Sequence, residues 1–229
     1  MKYLLPALLF FFYLPVIAQD KNGKEKRNCN KSFILKGRGI DGSMKEVILT
    51  VTKRFYDFSA EGLRKQNSDD KSRFAGYDYT KIGEPSQKQD CAGYVFDKLW
   101  HTGKYWITGP TFYEMIIKNF GTKISNGLTW GNVQEGDVVI YIDELGRANH
   151  ITIVKSVSTA FEVTTGVTIE TKDGKEGVFK HTLPNLTSIS NDPLVRSWGT
   201  PTIFRVDAHR IILTPSGSGD CDMEYSFDK

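Results

Sequence analysis

The sequence predicts an α+β fold in which helices from the first half of the chain pack on an antiparallel sheet built from the second half. Two patterns carry that expectation. Cys91 to about His101 places Tyr94, Val95, Leu99 and neighbouring aromatics at the i, i+4 spacing of a buried helical face, whereas the chain from Asp137 onward breaks into short β-forming runs punctuated by turn residues. Helices first and antiparallel strands afterwards is the order of an α+β domain. A composition of 39% hydrophobic and 25% charged residues over 229 positions suits one globular domain with a modest extra element and a full core.

The elements follow in chain order. Lys2, the apolar run Leu4 to Ile17 and the small Ala18 before Gln19-Asp20 read as a signal peptide over residues 1–18. That run is shorter than the roughly 20 residues of a spanning helix, and no second candidate follows it. The mature chain is therefore expected to be secreted or periplasmic, with no transmembrane segment. Lys21 to Arg27 is a basic run of the kind a solvated linker carries. Thirty Lys and Arg against 27 Asp and Glu leave a net charge of +3, too small and too dispersed for a nucleic-acid groove.

Phe33 to Lys36 and Val47 to Lys53, with Gly37, Gly39 and Gly42 between them, predict two strands joined by a turn. With the linker they form a small β-rich N-terminal element over residues 19–62. Phe55 to Lys65 is expected as a short helix, Asn67 to Arg73 as a polar loop, and Ala75 to Gln89, with Gly76, Gly83 and Pro85, as irregular chain. After the helix at Cys91, a second helix is expected over Thr111 to Asn119, stopping at Gly121. The predicted strands are Asp137 to Ile142, Ile151 to Val157, Phe161 to Thr165, Val167 to Thr171, Gly177 to His181 and Thr202 to Val206. Residues 63–213 make the main domain, and residues 214–229 a polar tail rich in Gly and Ser.

The chain has three Cys, and an oxidising compartment pairs thiols, which leaves one over. Cys29 and Cys221 lie near the two ends of the mature chain, whereas Cys91 opens a helix and profits from remaining a thiolate. A Cys29–Cys221 disulfide and a free Cys91 are expected.

Asp90-Cys91-Ala92-Gly93-Tyr94-Val95 is the strongest local signal. A thiol in the first turn of a helix lies near free backbone N–H groups and the positive end of the helix dipole, and both favour the thiolate. Small Ala92 and Gly93 leave room for a substrate carbonyl, and the Cys91 N–H can help hold a developing oxyanion. Asp90 is placed as the N-cap. The alternative is an inert buried cysteine behind a plain cap. The second signal is Gly136-Asp137-Val138-Val139-Ile140-Tyr141 followed, after a turn, by Asn149-His150-Ile151-Thr152-Ile153-Val154. Two adjacent antiparallel strands with His150 at the start of the second are expected to present an imidazole to the helix carrying Cys91, the geometry of a Cys–His pair.

Together these three motifs resemble the NlpC/P60 and CHAP superfamily of papain-like cysteine peptidases and amidases, over roughly Tyr77 to Val206. The resemblance implies a papain-like NlpC/P60-type fold and hydrolysis of amide bonds in peptidoglycan peptides. It also implies Cys91 as nucleophile and His150 as base, with no metal or organic cofactor. It makes Glu170 the residue that orients the imidazole, with Glu162 and His181 as rivals, and puts Tyr79, Asp90 and Ala92 at the substrate. The Gly-Gly pair that many members carry before the nucleophile is absent beside Tyr79. Two other functions fit the same motifs: a toxin-like or deamidating hydrolase acting on another protein, and a catalytically silent wall-binding module.

Overall fold

The structure is a computed structural model, and it describes residues 28–75, 79–125, 132–160, 163–183, 198–217 and 221. The expected leader, the Lys21 to Arg27 run, Glu162 and most of the polar tail lie outside these residues. Among the described residues, ten strands in two antiparallel sheets and a few helices make a mixed α+β architecture. Among the described residues no helix is long and apolar enough to cross a membrane.

The smaller sheet has the order β10-β1-β2, formed by β1 (Cys29–Arg38), β2 (Met44–Lys53) and β10 (Ile212–Ser216). Alternation along β1 and β2 buries Phe33, Leu35, Leu49 and Val51 on one face, while Ile48 stays exposed on the other. The disulfide between Cys29 and Cys221 ties the start of β1 to the chain beyond β10 across a sequence separation of 192. The N-terminal element is thus not a unit apart. Its buried face shares one apolar cluster with the helices and the larger sheet, and its third strand comes from the far end of the chain. Residue 62 falls inside a helix, and residue 214 falls inside β10.

The larger sheet has the order β3-β8-β7-β6-β5-β9-β4, from β3 (Tyr79–Gly83), β4 (Gly121–Ser125), β5 (Val138–Ile142), β6 (Ala148–Ala160), β7 (Val163–Lys172), β8 (Val178–Leu183) and β9 (Thr200–Val206). The two runs expected on either side of Gly166 are one strand. β3, β4 and β10 are short edge strands without a marked apolar alternation, and periodicity does not reveal them.

Helix α2 (Cys91–Trp100) starts where expected, and its first turn is held by the Asp90 side chain accepting from the Gly93 N–H at 2.9 Å. It ends at His101 in the left-handed conformation. Ala92, Val95 and Phe96 are fully buried among residues of both sheets. A second helical stretch runs from α3 (Gly109–Phe112) through a π-helical turn (Tyr113–Ile117) into α4 (Lys118–Phe120).

Helix α1 (Ala60–Arg73) departs from expectation, because it begins later and takes in the whole of the supposed polar loop. Ser59 caps it, accepting from the Gly62 N–H at 3.1 Å. Its buried residues are Gln66 and Asp70, so the helix docks through polar contacts and shows no apolar stripe.

Leu35→Ala is expected to destabilise the whole protein by about 2–5 kcal/mol, in a single urea transition seen by fluorescence and by far-UV circular dichroism. An N-terminal element melting separately would contradict the shared core. Thiol titration of the denatured, unreduced protein is expected to find one reactive thiol, at Cys91.

Candidate active site

Cys91 and His150 meet at β6, but not as the sequence suggests. The residues of the larger sheet sort into two apolar clusters, one on each face. Val138, Ile140, Ala148, Ile151 and Ile153 lie with α2, while Val139, Tyr141, Val154, Val167, Ile169 and Trp198 form the other cluster. His150 belongs to the second face: its ring stacks on Trp198 at 4.0 Å and lies 5.8 Å from the ring of Tyr141. The cause is the alternation of β6, and a β-bulge lies just before His150. Tyr141 pairs with His150 and Ile142 with Ala148, so Asn149 is an extra residue in β6. In a regular strand, Ala148 and position 150 would face the same way. His150 faces away from α2 because its neighbour Ile151, like Ile153, faces it; the extra residue instead brings Ala148 to the α2 side.

The thiol nevertheless lies against β6. The backbone N–H groups of Ile151 and Ala92 both approach the sulfur and favour its ionised form. N–H groups of a strand point along the sheet, in the hydrogen-bonding direction. A sulfur that meets one therefore sits at the level of the strand, beside the imidazole-bearing face. No hydrogen bond joins the thiol to the imidazole in this arrangement.

The His150 Nε2 is 2.7 Å from Thr171 Oγ1, which leaves Nδ1 as the ring atom for proton transfer. The orienting residue is thus Thr171, and the expectation for Glu170 is corrected. Alternation along β7 decides between the two neighbours. Ile153 pairs with Glu170, so Glu170 faces α2, where it accepts from the Tyr94 hydroxyl at 2.7 Å and pairs with Lys98 at 3.0 Å. Burial works to raise its pKa, but the hydrogen bonds from Tyr94 and Lys98 and the Lys98 charge outweigh this and hold the carboxyl below its ordinary range. His181, the other rival inside the described residues, stacks on Tyr79 at 4.3 Å.

The resting pair is neutral. Burial and the neighbouring Asp90 carboxylate push the Cys91 thiol up to about 12, overriding the helix N-terminus. Burial likewise pushes His150 down to about 4, against the nearby Asp173 carboxylate and with the help of the Arg73 charge. Asp90, which also accepts from the Ile107 N–H at 3.1 Å, is itself raised to about 6 by burial. The expectation of a ready thiolate is corrected by these burial costs.

The residues placed at the substrate fare unevenly. Ala92 is 0% exposed and packs in the core, so it cannot touch a substrate. The space beside Gly93 is taken as well, since a Cβ there would lie 1.8 Å from the Tyr105 carbonyl oxygen. The small residues after Cys91 admit the segment around Tyr105, not a carbonyl of another molecule. Tyr79 packs with Phe74, Phe179 and His181. Asp90 serves as a cap and as a tie to Ile107.

Two measurements follow. At pH 8 the native Cys91 is expected to react with iodoacetamide about three orders of magnitude more slowly than an ordinary cysteine, speeding up about tenfold per pH unit to pH 10. A plateau near pH 9 would show an unperturbed thiol. Thr171→Val is expected to leave the buried imidazole nitrogen unpaired and to cost about 1–3 kcal/mol. It should also shift the His150 ring ¹⁵N resonances, which Glu170→Gln leaves in place.

Compared with protein-family models, curated proteins and solved structures, the chain matches none.

Proposed function

We propose that the chain is an exported cysteine hydrolase of papain-like, NlpC/P60-type fold that cleaves amide bonds in peptidoglycan peptides. The observation that carries this reading is the meeting of a cysteine at a helix N-terminus with the strand of a histidine whose Nε2 is already held by a hydroxyl. The sulfur attacks the carbonyl carbon while its proton passes to His150 Nδ1. The imidazolium gives that proton to the departing amine, and water drawn in by the same imidazole hydrolyses the thioester. A thiol near 12 and an imidazole near 4 differ by on the order of 10 kcal/mol in proton affinity, so a preformed ion pair is disfavoured. Proton transfer must accompany C–S bond formation, and substrate must bring Nδ1 and sulfur into hydrogen-bond reach.

The neutral thiol and the missing side-chain hydrogen bond favour a second reading, a wall-binding module that keeps the fold without the chemistry. Incubation with purified peptidoglycan separates the two. The hydrolase is expected to release fragments carrying a new amine and a new carboxyl, detected by mass. Cys91→Ala releases none while retaining its melting temperature, and His150→Ala slows release about 10²–10⁴-fold. Sedimentation with peptidoglycan and no release by the wild type selects the module. Equal release by wild type and Cys91→Ala refutes a thiol mechanism.

A further inference from the structure

The turn that joins β7 to β8 directly follows Thr171, and it is unusually well anchored. Asp173 to Glu176 form the turn, closed by the Glu176 N–H donating to the Asp173 carbonyl at 3.0 Å. Arg73 of α1 donates from one guanidinium nitrogen to Asp173 at 2.7 Å and from another to Glu176. Asp70 accepts from the Gly177 N–H at 2.9 Å and is itself held by the Gln66 amide at 2.7 Å. The buried Lys172 donates to the Glu176 carbonyl at 2.5 Å, and the Ser86 N–H donates to the Lys175 carbonyl at 3.1 Å. Gln66, Asp70 and Arg73 stand at the i, i+4, i+7 spacing where a surface helix normally carries its apolar stripe. Two of the three grip this turn directly, and the third holds Asp70. What α1 contributes to the fold is therefore a grip on one end of β7.

That end of β7 faces the candidate active site. Thr171 meets the His150 ring, and Asp173 lies close enough for its charge to act on both His150 and Cys91. The groups around the imidazole are Thr171 on β7, Asp173 on the turn, Arg73 on α1, Tyr141 on β5 and Trp198. Asp173 and Arg73 are the charged ones among these.

We propose that Arg73 is a positioning residue of the Cys91–His150 centre: its guanidinium fork fixes the β7–β8 turn, so that Thr171 stays on His150 Nε2, and neutralises Asp173 beside the imidazole. This rests on the reading of Cys91 and His150 as a reactive pair. The Asp173 carboxylate stabilises the imidazolium that forms during proton transfer, and Arg73 keeps that charge from protonating the ring beforehand. Asp173 favours the cationic ring and Arg73 disfavours it, so the two side chains oppose each other at one atom group. Removing them one at a time must therefore move His150 in opposite directions.

The test needs no substrate. Imidazole ¹H–¹⁵N correlation spectra of histidine-labelled protein are recorded against pH, with the His150 signals assigned by their loss in His150→Gln. In the wild type His150 is expected to be neutral and in one tautomer down to about pH 5. Arg73→Met is expected to raise its titration midpoint by about one pH unit and to mix the tautomers, as a nearby unneutralised carboxylate does. Arg73→Lys restores the wild-type midpoint by restoring the charge. Asp173→Asn moves the midpoint below pH 4 and serves also where Arg73→Met folds poorly. Unchanged His150 shifts and midpoint in both Arg73→Met and Asp173→Asn, with only a lowered melting temperature, would overturn the proposal and leave Arg73 a plain structural clamp. A chain that cleaves no amide yet shows the opposed shifts would refute the hydrolase reading and uphold the positioning.

Discussion

Strand β6 is the constraint on which the site depends, because a strand sends successive side chains to opposite faces. Ile151 and Ile153 seal α2 against the sheet. His150, one residue before Ile151, joins Tyr141 and Trp198 on the far side. The sulfur of Cys91 then meets the strand's own backbone, between the two faces. Every polar partner of the imidazole must come from that far face, and this selects Thr171 over its neighbour Glu170.

The electrostatics follow from the same burial. Cys91 gains from two backbone N–H groups at the start of α2, but removal from water and the adjacent Asp90 weigh more. Asp90 is itself costly to ionise, at about 6, because it caps the helix from inside the protein. The outcome is a pair held neutral from both sides, with burial keeping the ring unprotonated, and burial together with the Asp90 carboxylate keeping the thiol protonated. Such a centre differs from an exposed thiolate at a helix N-terminus, because neither partner carries its charge at rest.

The smaller sheet and α1 support this centre in different ways. The sheet does so through apolar area: Phe33 sits edge-on to Phe96 of α2 at 5.6 Å and to Tyr105 at 5.4 Å, and the Cys29–Cys221 disulfide fastens its outer margin. Helix α1 does so chiefly through hydrogen bonds and ion pairs. A helix held in that manner is sensitive to charge where the sheet is sensitive to volume.

Sequence by itself determined the α+β class, the start of α2 at Cys91 with Asp90 as its cap, the strands around Tyr141 and His150, and the Cys29–Cys221 disulfide with Cys91 left free. Each of these rests on local signals, either periodicity, a capping side chain or the parity of three cysteines. It missed α1 beyond Lys65, since Gln66, Asp70 and Arg73 form a polar stripe whose partners lie about a hundred positions away in the β7–β8 turn. It chose Glu170 where the structure uses Thr171, because the choice between adjacent strand residues depends on facing. Facing on β7 was decided by tertiary structure alone: Glu170 pairs with Ile153, which faces α2, and that register exists only once β6 and β7 pair.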